Sequence, residues 1–188
     1  IEIELGRLLP HWKLRKRLEK VSDNHLGWHR QAGEEGENLW FLGLPVPSGR
    51  LHDRDGVARR TAVREIVGSL ADQVRITPHQ DLLLCGVKGS DKRRVEAVLK
   101  QHNVPLARQL SLSVLSSLAC PALPTCGQAL GEAERVLPDI TDLLDQLLAD
   151  RGLDKVRIET RVTGCPNGCA RPYVAELGIV GRTKTGYD

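Results

Sequence analysis

Hydrophobic and polar positions change period several times along the chain, and each change marks an element. Leu39–Leu44 is an unbroken apolar run closed by Pro45 and Pro47, which predicts a strand after a polar turn at Gly33–Asn38. Residues 48–56 read as loop. Ala62, Val63, Ile66, Val67 and Leu70 then fall on one side of a helix over Thr61–Leu70. Two short strands, Gln73–Thr77 and Asp81–Val87, flank the turn Pro78-His79-Gln80. Ser90 is expected to cap a second helix reaching Gln101, with Val95, Val98 and Leu99 inward. This order predicts a small α+β sandwich, with helices on one face of a mainly antiparallel sheet.

Asn103–Leu110 reads as a linker, after which the pattern starts afresh. A helix is expected over Gln128–Leu137, stopped by Pro138, and a second one capped by Asp139. That second helix carries Ile140, Leu143, Leu144, Leu147 and Leu148 on one stripe and ends at Gly152. Lys155–Val162 alternates as a half-buried strand should, and Tyr173–Val180 predicts another. Three segments follow: a basic linker or helix over 1–25 belonging to a preceding domain, one folded unit over 26–104 and a second over 105–188.

Composition narrows the class. With 27% charged and 40% hydrophobic residues, the 188-residue chain has the balance of a soluble globular protein with a real core. A net charge of +3 is too small to argue for nucleic acid. No apolar run approaches a membrane span, and the opening Ile-Glu-Ile-Glu-Leu lacks a signal-peptide core, so a cytoplasmic setting is expected. Methionine is absent, even at position 1, and the chain stops at Asp188 soon after strand-like sequence; both point to a piece of a longer protein.

The chemistry sits in the cysteines. Cys120 and Cys126 have five residues between them, Cys165 and Cys169 have three, and 38 residues separate the pairs. Both pairs lie among prolines and glycines, which turn two thiolates toward one point. Four thiolates suit an iron–sulfur cluster or a structural zinc. Zinc pairs usually have two to four residues between them, so the Cys120–Cys126 gap is loose for zinc. Two disulfides or plain buried thiols are the remaining readings, and an odd count of five without secretory features argues against oxidation. Cys85, in the apolar run Leu82–Val87, reads as a buried core residue.

The stretch from Arg75 to Tyr187 closely resembles the second half of siroheme-containing sulfite and nitrite reductases. The matching motifs are Arg-Ile-Thr-Pro-His-Gln (75–80), Ala-Cys-Pro-Ala-Leu-Pro-Thr-Cys (119–126), Glu-Ala-Glu-Arg-Val-Leu-Pro (132–138) and Val-Thr-Gly-Cys-Pro-Asn-Gly-Cys-Ala-Arg-Pro-Tyr-Val-Ala-Glu-Leu-Gly (162–178). Trp40–Leu51 looks like the start of that family's ferredoxin-like half-domain, so the likeness covers about residues 26–188. The resemblance implies a ferredoxin-like half-domain over 26–104 and an α/β domain over 105–188 that binds a [4Fe–4S] cluster and siroheme. It assigns Cys120, Cys126, Cys165 and Cys169 to the cluster, with Cys169 also the axial ligand of the siroheme iron. The implied activity is six-electron reduction of sulfite to sulfide.

Gly168-Cys169-Ala170-Arg171-Pro172-Tyr173 resembles the ferredoxin-dependent sulfite reductases, which favours ferredoxin over a flavoprotein as donor. A siroheme nitrite reductase, a corrinoid-synthesis relative and a non-catalytic zinc-stapled module are the rivals. No Gly-x-Gly-x-x-Gly points to a nicotinamide or flavin site. Asn167 and the N–H groups of 166–170 are candidates for bonds to sulfur, or merely turn formers. Arg161, Arg171 and Arg182 read individually as solvated arginines that could instead offset cluster charge. By resemblance, Arg75, Thr77 and Gln80 face the siroheme region, while His79 reads as a turn residue. The Arg59-Arg60 and Lys92-Arg93-Arg94 runs read as solvated helix faces, or as docking for an acidic ferredoxin. The family's substrate-binding cations lie upstream of this stretch, in the expected N-terminal half of the protein. A piece without them should neither turn over nor hold siroheme well.

Overall fold

The computed structural model describes residues 25–31, 38–184 and 186–188. The expected basic segment before His25 and the turn at 33–37 lie outside the described residues. Four strands form the first sheet: β1 (Gly27–Arg30), β2 (Leu39–Leu44), β5 (Gln73–Ile76) and β6 (Leu82–Lys88). Their order is β1-β2-β6-β5, with every neighbouring pair antiparallel. β3 (Asp53–Arg54) and β4 (Val57–Ala58) make a small hairpin within the expected loop, and α1 (Arg59–Ser69) and α2 (Lys92–Gln101) pack together.

This unit is built on branched side chains. Leu42 sits opposite Leu84 and Leu44 opposite Leu82 in the β2–β6 register. They join Ile66 of α1 and Val95 and Leu99 of α2 in one buried cluster. The expected strand–helix–strand–strand–helix order is present, with β1 added at the edge. β1 alternates weakly (Gly-Trp-His-Arg), which hid it from a periodicity reading. Ser90 does not cap α2, because a 3-10 turn at Gly89–Asp91 precedes the helix.

The second unit follows a 3-10 turn at Ala107–Gln109. It holds α3 (Leu112–Leu115), β7 (Ser117–Ala119), α4 (Leu137–Ala149), β8 (Thr160–Thr163) and β9 (Leu177–Val180). β7, β8 and β9 form a parallel sheet with β8 in the middle. All four residues of β8 are buried, as a strand covered on both faces requires.

Several expectations here are corrected. Residues 128–136 are irregular rather than helical, and Pro138 belongs to the first turn of α4 instead of stopping a helix. A proline is tolerated there because its missing N–H would have no helical partner. The α4 stripe is also rotated. Leu137, Thr141 and Leu148 face inward, while Leu143 is 56% and Leu147 43% exposed. The two later strands are shorter than expected, and Pro172–Val174 forms a 3-10 turn ahead of β9.

Candidate functional site

Both cysteine pairs sit just past the ends of parallel strands. Cys120 follows β7 and Cys165 follows β8, and these neighbouring strands run in the same direction. Parallel pairing therefore delivers both loops to the same edge of the sheet.

The loops are then stitched together at Gly164. Its carbonyl accepts from Leu130 N–H at 2.8 Å and Gly131 N–H at 2.9 Å, and its own N–H points at Cys120 Sγ, 3.3 Å away. A Cβ at 164 would lie 2.6 Å from Ala122 Cβ and 2.6 Å from Gly131 O, so only glycine permits the approach. Thr163 Oγ1 also donates to Cys120 Sγ at 3.6 Å. Asn167 Nδ2 donates to Gln128 Oε1 at 2.9 Å, a second tie between the loops rather than a bond to sulfur. Tyr187 closes over the first loop, its hydroxyl accepting from Glu132 N–H and donating to Glu132 O.

A third segment braces both loops from the first unit. In the β5–β6 turn, Gln80 adopts φ of 67° and donates from Nε2 to Ala119 O at 2.8 Å, next to Cys120. Pro78 O accepts from Arg171 Nη2 at 2.8 Å, two residues beyond Cys169. Arg75, Thr77 and Gln80, expected by resemblance to face the siroheme region, make contacts within this chain. Arg75 lies exposed on β5, its guanidinium on Gln73 Oε1, and Thr77 Oγ1 accepts from His79 and Asp81 N–H within the turn.

Cys120 and Cys165 are buried, Cys126 is half-buried and Cys169 is exposed. Cys85 is buried in the first unit, away from these loops along the fold, and burial pushes its thiol upward. A single zinc would need sulfurs about 4 Å apart, given Zn–S bonds of about 2.3 Å. Among the described residues, no three His, Cys, Asp or Glu side chains form a group that could hold a metal ion. An all-thiol donor set on two stitched loops fits an iron–sulfur cluster chemically.

Several arginines lie on the elements that carry these loops, most of them paired with carboxylates. Arg161, expected at the surface, is 4% exposed in β8 and pairs with Glu159 at 3.0 Å. Burial holds its guanidinium below the usual range. His79 is likewise held down, first by burial and then by Arg161 and Arg171, with Glu159 opposing. Arg171 is exposed in a left-handed conformation, and Arg182, also exposed, pairs with Asp188. Gly164 was the residue sequence reasoning missed. Its place directly before a cysteine, at the end of a strand, was the available signal.

The nitrite/sulfite reductase ferredoxin-like half domain matches residues 31–102. A ferredoxin sulfite reductase of Synechococcus elongatus is 41% identical over 165 residues, 88% of this chain and 26% of that protein. The hemoprotein beta-component of an NADPH sulfite reductase from Xanthomonas oryzae is also 41% identical, over 86% of this chain and 28% of its own length. The solved NirA protein of Mycobacterium tuberculosis superposes with a TM-score of 0.67 at 25% identity, covering 87% of this chain and 29% of that one. The chain belongs to the nitrite and sulfite reductase family. It spans about a quarter of the length of the curated relatives it matches. Among the described residues, no helix is long and apolar enough to cross a membrane.

Proposed function

We propose that this chain is the cluster-bearing part of a cytoplasmic siroheme sulfite reductase, with the half-domain at 26–104 and the cofactor-binding unit at 105–188. Cys120, Cys126, Cys165 and Cys169 would hold a [4Fe–4S] cluster, and Cys169 would also meet the siroheme iron. The observation that carries this reading is the joining of the two thiol loops through Gly164. Bound there, the coupled cofactors would supply storage and delivery of single electrons for sulfite reduction.

The chain's own residues would tune and protect that centre. Gly164 N–H and the Thr163 hydroxyl, both directed at Cys120 Sγ, would lower the electron density on a ligating sulfur. The buried Arg161 lies on β8, the strand that leads into Cys165, with Glu159 as its partner. Cys169 is the exposed thiol, which suits a ligand reaching toward a second group.

Relatives named for ferredoxin and for NADPH are equally similar, so the preference for ferredoxin rests on the Ala170–Tyr173 run alone. Anaerobic purification of the full-length protein tests the whole reading. About five irons for every four acid-labile sulfides, the fifth belonging to the siroheme, together with a siroheme absorption band are expected, and stoichiometric zinc would end it. Turnover of sulfite over nitrite, driven by reduced ferredoxin rather than a flavoprotein, checks substrate and donor.

A further inference from the structure

A cavity of about 570 Å³ lies between the two units, on a wall that includes none of the four cluster cysteines. Val46 and Val57 of the first unit line it together with Leu115 and Leu137 of the second. Into this apolar setting comes Arg59, the first residue of α1, only 7% exposed. Its Nε is buried with no hydrogen-bond partner. Burial alone accounts for the lowering of its pKa, with no carboxylate contributing. His52, also on the wall, buries an unpartnered Nδ1.

The other arginines and carboxylates on the wall are either paired or, like Arg54, Asp55 and Asp142, exposed to water. Arg50 makes a two-pronged pair with Glu134, Arg135 pairs with Glu132, and Asp81 accepts from Val46 N–H. An unpaired buried cation costs several kcal/mol in desolvation, which a fold retains when something compensates it. One buried, unpaired guanidinium in a mostly apolar cavity matches one negative charge. A phosphate or sulfite dianion would need more buried, unpaired cations than this wall supplies.

We propose that this cavity binds a monocarboxylate with an apolar body, the carboxylate meeting Arg59 and His52 and the body lying on Val46, Val57, Leu115 and Leu137. The inference is independent of the cluster assignment. The carboxylate has two sources: a free organic acid, or an Asp or Glu side chain from the rest of the longer protein.

Calorimetric titration of the full-length protein with hexanoate, with inorganic phosphate as control, separates them when repeated on Arg59→Leu. A free-acid site gives saturable hexanoate binding, weakened at least about tenfold in the variant, and no phosphate binding. An internal carboxylate gives no hexanoate binding, and Arg59→Leu unfolds earlier at pH 7 but not below about pH 4, where carboxylates protonate. Arg59→Gln, which also removes the charge, gives the same readings if the leucine variant does not fold. The proposal fails if hexanoate binds both variants undiminished or phosphate binds equally well. Without hexanoate binding, it also fails if the variants are as stable as the parent or their deficit persists at low pH.

Discussion

The two units of this molecule hold themselves together by different means. The first buries fifteen residues in one cluster, nearly all leucine, valine or isoleucine. The second cluster has seven, and only Leu137 and Val162 are larger than cysteine; the rest are Ala119, Cys120, Ala122, Ala133 and Ala170. A fully buried leucine or valine contributes about 1.5–3 kcal/mol, and an alanine far less. What the second unit gains from small residues is close backbone approach, so that Gly164 can bond across two loops and point an N–H at sulfur. The difference teaches that one unit is stabilised by apolar area, the other by loops stitched through backbone hydrogen bonds.

The most severe test of that contrast is Cys165→Ser in the full-length protein. Cluster iron should be lost, and amide protection over 107–188 should collapse while that of 42–106 persists. Equal protection in both units would break the comparison. Next comes Leu84→Ala, at a fully buried position of the first cluster. It should destabilise the first unit by about 2–5 kcal/mol in denaturant unfolding while leaving bound iron unchanged.

Asp81 sharpens the contrast, because the first unit tolerates a buried carboxyl whose pKa burial raises from 3.8 to about 6. A folded-state value above the unfolded one means stability present at low pH and lost as pH rises from about 4 to about 6. Asp81→Asn keeps an acceptor for Val46 N–H and should therefore stabilise by about 1–3 kcal/mol at pH 7 and by little at pH 4. Denaturant midpoints at the two pH values read this directly.

Gly164→Ala should cost about 1–3 kcal/mol through overpacking against Ala122 and Gly131, with faster loss of cluster iron to a chelator. The smallest effect is expected from Gln80→Ala, which leaves Ala119 O without its donor. About 1 kcal/mol, felt in the second unit although the residue belongs to the first, would show the brace at work.

Periodicity worked where apolar area decides structure. β2, α1, β5, β6 and α2 all fall within a few residues of their expected places, because their buried faces repeat at the period of a strand or a helix. It failed over 128–136, where the backbone bonds across to Gly164 of the partner loop, and over 155–159, which stays irregular ahead of β8. β1 and the inward face of α4 were missed because each depends on what packs across from it.

The four cysteines and their turn-forming neighbours were legible from order and spacing alone, since thiol chemistry and Pro/Gly turns are local properties. Tertiary structure alone could decide that Gly164 lies between the loops, that Gln80 and Pro78 brace them from another unit, that Arg161 is buried, and that Arg59 faces an apolar cavity unpaired. Each of those facts is a meeting of residues far apart in the chain, and local sequence carries no record of distance across a fold.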